Sequence, residues 1–176
     1  GGNAFDTSEM TDSGFGDPDE SQCEDTYLDW DDSPDFWFKW SAPGNGDIDL
    51  TTCDPSSYDT SVVLYEGLTC ETLVQIACNG DDENSDDNCQ NHHSLIEEIP
   101  VTSGQTYWVR LGGWQGNTGE GTMTLTFNGT SDPTGGCCIG LACVVLTDAQ
   151  CAAMGGSYLG DGSDCTNDPC GVEAIG

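Results

Sequence analysis

The chain has 176 residues, of which 35% are hydrophobic, enough for one main domain and a small appendage but not for two large domains. Thirty-two acidic residues face only Lys39 and Arg110, so the formal net charge is -30. Such self-repulsion favours cations as partners and disfavours nucleic acid and anionic membranes, because no basic patch could release their counterions. No apolar run reaches the roughly 20 residues that cross a bilayer, so no transmembrane segment is expected.

The cysteine content indicates an oxidising compartment. The chain carries eleven cysteines, and a cytosolic protein would keep that many thiols only as metal ligands or catalytic groups. No pair of CxxC knuckles with zinc-finger spacing is present, which disfavours zinc. The start Gly1-Gly2-Asn3 is typical of a mature product whose leader has been removed. We therefore expect a secreted, extracellular or cell-surface protein, whose odd cysteine is free or bonds to another chain.

Residues 1–22 form an acidic extension that contains no basic residue. Its large apolar side chains are Phe5, Met10 and Phe15, and alone in water such a composition would be disordered. If the extension is ordered, it must be held by bound cations, by the body of the domain or by a neighbouring subunit. The sequence leaves these three alternatives open.

Residues 35–127 alternate with a period of two, which predicts short strands separated by turns. Ile48 and Leu50 alternate with aspartates and predict a strand buried on one face. Val62 and Leu64 point to one face and Val63 to the other, which predicts a strand covered on both sides. We therefore predict an all-β fold, with an antiparallel β-sandwich over residues 23–131.

Residues 132–176 form a cysteine-rich appendage, with six cysteines between positions 137 and 170. A segment of this size cannot fold on a hydrophobic core alone, so disulfides must constrain it. One short helix is predicted over residues 148–154, with Thr147 at its start.

The disulfide pairing is only partly predictable. Cys70 and Cys78 flank one short predicted strand and are expected to pair, and Cys53 is expected to reach Cys89. Cys23 is then the odd member of the body. Either the six cysteines of the appendage pair among themselves, or Cys23 takes one of them and leaves a thiol there unpaired.

Five short motifs follow one another through the central region. Together they resemble the bacterial pre-peptidase C-terminal domain, a jelly-roll-like β-sandwich found beside secreted peptidases and in many surface proteins. The motifs are residues 35–43 (DFWFKWSAP), 58–67 (YDTSVVLYEG), 77–82 (ACNGDD), 104–113 (GQTYWVRLGG) and 119–125 (GEGTMTL).

The appendage resembles a short cysteine-rich repeat of secreted planctomycete-type bacterial proteins. The resemblance rests on residues 137–138 (CC), 152–158 (AAMGGSY) and 160–162 (GDG). It implies a bacterial, extracellular setting.

The resemblance implies a calcium site at the start of the sandwich. Collagen-binding members of the family use an acidic segment before the first core strand, together with a D-x-x-D-aromatic motif. Asp32 and Asp35, followed by an aromatic residue, match the motif. Asp17, Asp19 and Glu20 match the acidic segment. The further carboxylates at positions 24, 25, 29 and 31 leave open which of them coordinate the ion.

A second calcium site is predicted in the acidic loop of residues 79–88, which includes Asp81 and Asp82, with Asp59 as a possible additional ligand. Calcium takes six to eight oxygen ligands, mostly from carboxylates and carbonyls. Like charges at this density repel one another unless a counterion binds. The acidity itself is therefore a reason to expect metal here.

No catalytic motif is evident, and we expect a protein that is not an enzyme. His92 and His93 form the only histidine site; adjacent side chains on an extended segment point to opposite sides, which favours exposure over shared metal binding. No G-x-S-x-G elbow or HExxH motif occurs. Trp30 and Trp114, both in predicted loops, could stack on a sugar or a partner.

The sequence therefore predicts a non-enzymatic, calcium-binding structural protein that associates with itself into an extracellular fibre or surface matrix. An acidic extension that paired with the sheet edge of the next subunit would generate a head-to-tail polymer. The alternative is an adhesive module whose ligand is a glycan or a matrix protein.

Overall fold

The computed structural model describes residues 1–23, 28–82, 92–166 and 169–171. Eleven strands and one helix are found there, together with three short 3-10 turns at Glu20–Gln22, Cys70–Thr72 and Trp114–Gly116. The strands are β1 Gly2–Asp6, β2 Phe36–Ser41, β3 Gly46–Thr51, β4 Thr60–Glu66, β5 Val74–Asn79, β6 Leu95–Val101, β7 Thr106–Gly113, β8 Glu120–Gly129, β9 Thr134–Ile139, β10 Ala142–Thr147 and β11 Ser157–Tyr158, and the helix is α1 Asp148–Ala153.

The first eight strands form an antiparallel β-sandwich, which confirms the predicted fold class. One sheet has the order β1-β8-β3-β6 and the other has the order β2-β7-β4-β5. Strand β1 pairs with β8, β2 with β7, β3 with β6 and β4 with β5. The first half of the chain thus pairs with the second half, and successive strand pairs lie alternately in the two sheets, as in a jelly roll.

The period-two pattern places the core between the two sheets. Ile48, Leu50, Val62 and Leu64 are almost fully buried there. The other face of the β2-β7-β4-β5 sheet is also covered, because Val63 belongs to a second buried cluster. A sheet with both faces covered needs apolar residues at consecutive positions, as the sequence of β4 predicted.

The acidic extension lies on its own sandwich and contributes a strand to it. Strand β1 runs antiparallel to β8, with Ala4 opposite Thr122. Phe5 is the one buried residue of β1 and joins the main core. Of the three alternatives left open by the sequence, the body of the domain is the one that holds these residues.

Arg110 fastens the rest of the extension to the sandwich. Its side chain is fully buried, and its Nε donates to Asp35 Oδ2 at 2.7 Å. The other two guanidinium nitrogens donate to Asp12 Oδ1 at 3.1 Å and to the Gly16 carbonyl at 2.6 Å. The guanidinium carbon lies 4.2 Å from the centroid of the Trp30 ring. One buried cation thus ties two points of the extension to β7.

One disulfide fixes Cys23, the residue that directly follows the extension, to strand β5, and it corrects the predicted pairing. Cys78 bonds to Cys23, while Cys70 is free and exposed. The prediction that Cys70 pairs with Cys78 was wrong because β5 is extended and carries Cys78 about 13 Å beyond Val74, too far for a disulfide. Cys53 is disulfide-bonded; its predicted partner at position 89 lies outside the described residues.

The appendage forms a small sheet of order β10-β9-β11 with helix α1 beside it. Thr147 caps the helix by accepting a hydrogen bond from the Gln150 amide, as predicted. The six cysteines pair among themselves, Cys137 with Cys151, Cys138 with Cys170 and Cys143 with Cys165. This settles the choice that the sequence left open, since Cys23 bonds within the body.

Within the described residues, no helix is long and apolar enough to cross a membrane.

Candidate functional site

The second predicted calcium site falls on a pocket at one end of the β2-β7-β4-β5 sheet. Asp59 immediately precedes β4 and Asp81 follows β5. These strands are antiparallel neighbours, with Val62 opposite Asn79, so the start of one lies beside the end of the other. Asp59 and Asp81, together with His92 and Trp114, line a cavity of about 210 Å³.

Asp59 is the least satisfied carboxylate of this pocket. Its Oδ1 is buried and has no hydrogen-bond partner within the described ranges. Burial raises the pKa of Asp59, the charge of Asp81 raises it further, and His92 acts in the opposite direction. The site therefore places a carboxylate where its ionised form has lost water and gained a like-charged neighbour.

Only one of the two histidines is exposed. His92 is 61% exposed, and its Nδ1 lies 3.5 Å from Asp81 Oδ2. His93 is 1% exposed, and its Nε2 lies 3.4 Å from Asp82 Oδ2. The expectation was that the histidines are solvent-exposed or loosely hydrogen-bonded. His92 is exposed, whereas His93 is buried beside Asp82 in the segment that leads into β6. Of the three predicted ligands, Asp81 lies beside His92 and Asp82 lies beside His93. Asp59 lines the same pocket as Asp81.

Trp114 reaches the pocket from a tight turn after β7. The Trp114 amide donates to the Asp59 carbonyl at 3.2 Å, and the Gln115 amide donates to the Asp29 carbonyl at 2.8 Å. Gln115 has a left-handed backbone with φ of 50°, a conformation that costs a non-glycine residue free energy. The side chain of Trp114 remains 37% exposed. Trp30, by contrast, is fully buried, so the expectation that it could stack on a ligand was wrong.

Three predicted ligands of the first calcium site have separate hydrogen-bond partners, whereas two of those of the second site line one pocket. Asp35 is engaged by Arg110 and also accepts a hydrogen bond from Ser13 Oγ at 2.7 Å. Asp19 caps a 3-10 turn by accepting from the Ser21 amide. Glu20 accepts from the Trp30 amide at 3.3 Å.

Asp17 and Asp32, the other two predicted ligands of this site, are exposed. Over residues 1–23, 28–82, 92–166 and 169–171, no group of three His, Cys, Asp or Glu residues is arranged to hold a metal ion. Positions 24, 25 and 83–88, which carry further candidate ligands, lie outside the described residues. Calcium binding stays a prediction, and Asp59 with Asp81 is the pair that fits it best.

A second cavity lies along β1. It has a volume of about 520 Å³, and its lining includes Phe5 and Met10 from the extension, Phe36 from β2 and Gly121 from β8. A Cβ atom at Gly121 would come within 2.7 Å of Phe5 Cζ, so the glycine makes room for the phenylalanine. Strand β1 therefore occupies one side of a groove that it does not fill.

The role of Arg110 was missed in the sequence. A signal was present, because this arginine is one of only two basic side chains in a strongly acidic chain and occupies a strand position beside apolar neighbours. A lone arginine in such a strand must find carboxylates or carbonyls when it is buried. The identity of Asp12 and Gly16 as its partners depends on how the extension crosses the sheet.

Compared with protein-family models, with curated proteins and with solved structures, the chain matches none of them. The resemblance to the pre-peptidase C-terminal domain therefore stays a prediction.

Proposed function

We propose that this protein is a secreted, non-enzymatic, calcium-binding structural subunit that polymerises by exchanging strand β1 between copies. The observation that carries the proposal is that β1 closes a sheet edge with a single buried side chain beside a large unfilled groove. The strand order makes β1 the outermost strand beside β8. Removing it exposes a sheet edge that another copy of β1 can pair with.

The attachment of β1 to its own sandwich is weak compared with that of the residues that follow it. Phe5 is the only side chain of the strand that is buried, which is worth about 1.5–3 kcal/mol. Every contact that β1 makes with β8 can be remade by the same strand from another copy. Exchange therefore sacrifices little free energy, as in domain swapping generally.

The extension beyond β1 is anchored much more firmly. Arg110 holds it at Asp12 and Gly16, and Cys23 is bonded to Cys78. Thr7 is fully buried and hydrogen-bonds to Gly119 and Tyr58, so it leaves together with β1. The link between the exchanging segment and the anchored part is therefore residues 8–11, which span up to about 14 Å when extended. A strand that leaves while its base stays attached joins one subunit to the next in a head-to-tail polymer.

Calcium is the second part of the proposal. Copies of a chain with a formal charge of -30 repel one another, and bound divalent cations reduce this repulsion. Asp59 and Asp81 are the proposed protein ligands in the described region. The buried Asp59 Oδ1, which has no hydrogen-bond partner there, fits a hard cation that takes carboxylate oxygens.

A split pair of cysteines tests strand exchange directly. We would place A4C on one chain and T122C on another, both in a C70S background so that the free thiol cannot interfere. Residues 4 and 122 are paired across β1 and β8. If β1 exchanges, mixing the two proteins in millimolar calcium under mild oxidation yields mixed disulfide-linked dimers. We expect fewer of these dimers in EDTA.

Two controls make this test decisive. The double variant A4C/T122C, oxidised at high dilution in EDTA before any calcium is added, should cross-link internally and remain monomeric, which establishes that the geometry allows a disulfide. Each single variant alone should give no comparable dimer. Internal cross-linking without mixed dimers would refute strand exchange, whatever the calcium affinity.

A further inference from the structure

The pocket of Asp59, Asp81, His92 and Trp114 combines carboxylates with an accessible aromatic ring. From its chemistry we propose that it binds the protonated amine of an amino sugar, with the sugar ring against Trp114. The site shares its carboxylates with the calcium proposed above but does not depend on polymerisation.

The hydrogen-bonding groups of the pocket select the charge of the ligand. Ionised carboxylates accept hydrogen bonds and cannot donate them, whereas an ammonium group donates three and accepts none. Asp59 Oδ1 is buried and is not satisfied by any described residue, and His92 Nδ1 already lies 3.5 Å from Asp81. A group that only donates therefore matches what the pocket lacks. Uronic and sialic acids are excluded by repulsion from the same two carboxylates.

Trp114 adds a surface that an organic cation can use and a bare ion cannot. The face of an indole attracts a cation through its quadrupole and also packs against apolar C–H groups. Trp114 is 37% exposed, although its turn is fixed by hydrogen bonds to Asp59 and Asp29. A backbone that already holds the accessible aromatic residue at the pocket lowers the conformational entropy lost when the ligand arrives.

The size of the cavity favours one compact ring. Its volume of about 210 Å³ is below the range of roughly 300–1,000 Å³ of pockets that bury drug-sized ligands. A pyranose with one amine can place the apolar C–H face of its ring against the indole. Its ammonium and hydroxyl groups can then donate hydrogen bonds from the edge of the ring. A lysine side chain carries the same ammonium on a linear stem, which covers less of the ring, so we expect it to bind more weakly.

The proposal is tested by NMR titration of the whole protein in EDTA with three small probes. Methyl glucosaminide should bind, whereas methyl N-acetylglucosaminide, which lacks the charge, should bind at least about tenfold more weakly, as expected for loss of a charge-assisted hydrogen bond. N-acetyl-lysine methylamide should also bind more weakly than the glucosaminide. Equal binding of the neutral sugar, or stronger binding of the lysine probe, would overturn the assignment.

Variants locate the binding site. W114A should weaken glucosaminide binding by about fivefold to thirtyfold, and D59N should weaken it by about tenfold. D47N removes an exposed carboxylate of β3 and should leave binding unchanged. If W114A binds as the unmodified protein does, the proposal fails. Millimolar calcium should compete with the glucosaminide; if calcium binds by an independent titration while the amino sugar never does, only this proposal fails and the calcium proposal stands.

Discussion

The acidic extension and the cysteine-rich appendage are both too poor in apolar residues to fold alone, yet they become ordered by different means. The extension is held against the sandwich by the buried Arg110, by Phe15 packed on Trp37, and by the Cys23–Cys78 disulfide. The appendage is held by three disulfides within itself. It leaves large apolar side chains exposed, Leu141, Val145 and Met154 among them.

The two segments depend on different parts of the molecule for their order. The extension gains its structure from a surface that only the folded sandwich provides, so its order is coupled to the stability of the domain. The appendage gains its structure from covalent links that restrict its own unfolded state. It touches the sandwich where Ala149 and Gln150 approach Gly104.

Replacing Arg110 should have the largest effect. R110M leaves Asp35, which is 6% exposed, as a buried charge without its partner, and breaking such a pair costs about 3–5 kcal/mol. Urea denaturation should show this loss, and limited proteolysis should cut the extension first. K39M removes the other basic side chain, which lies over Trp108 at the surface, and should cost less than about 1 kcal/mol. Equal losses of stability in the two variants would contradict the role of Arg110 in holding the extension on the sandwich.

Removing the buried disulfide of the appendage should have an intermediate effect that stays local. The pair C137S/C151S opens a loop with a sequence separation of 14, which should cost about 3 kcal/mol of local stability. Hydrogen exchange should accelerate in β9 to β11 and remain slow in the sandwich. C23S/C78S should do the reverse and loosen the extension. If C137S/C151S destabilised β3 or β4 as much as β9, the two regions would not be independent.

High pH should weaken the attachment of the extension by the smallest amount. Thr7 donates a hydrogen bond to the Tyr58 hydroxyl, which itself donates to the Gly112 carbonyl. Burial raises the pKa of Tyr58 from 10.0 to about 12. The folded state therefore retains a proton that the unfolded state releases.

This difference fixes the sign of the pH dependence. The contribution of Tyr58 is complete below pH 10, and the free energy of unfolding should fall by up to about 1.4 kcal/mol per pH unit between pH 10 and 12. Comparing the unmodified protein with Y58F by urea denaturation isolates the effect, because other tyrosines titrate in both. A Y58F profile with the same slope over this interval would show that Tyr58 is not the group responsible.

Local patterns predicted most of the sandwich and little of what attaches to it. The alternation in β3 and the apolar run in β4 predicted which faces are buried, because side chains alternate across a strand whatever the strand packs against. Cys70 and Cys78 were paired wrongly for the opposite reason: nearness along the chain does not bring two residues together when the strand between them is extended. Strand β1 was not predicted, since its sequence carries only Phe5 as a large apolar residue.

The candidate site was likewise predicted in part from the sequence and fixed in part by the fold. The acidity of positions 59, 81 and 82 was evident, and it indicated cation binding before any fold was known. Which of these residues come together depended on which strands are neighbours. Asp59, Asp81 and Trp114 line one pocket, and Asp35 is paired with Arg110.

The sequence by itself determined the class of fold, because period-two alternation is a local property. From composition alone it also predicts an oxidising setting and the binding of cations. Only the tertiary structure decided that the acidic extension closes its own sheet, that one buried arginine holds it there, and which carboxylates share a pocket. Those outcomes depend on contacts between residues far apart in the chain, such as Arg110 with Asp12 and Thr7 with Tyr58, which no local pattern specifies.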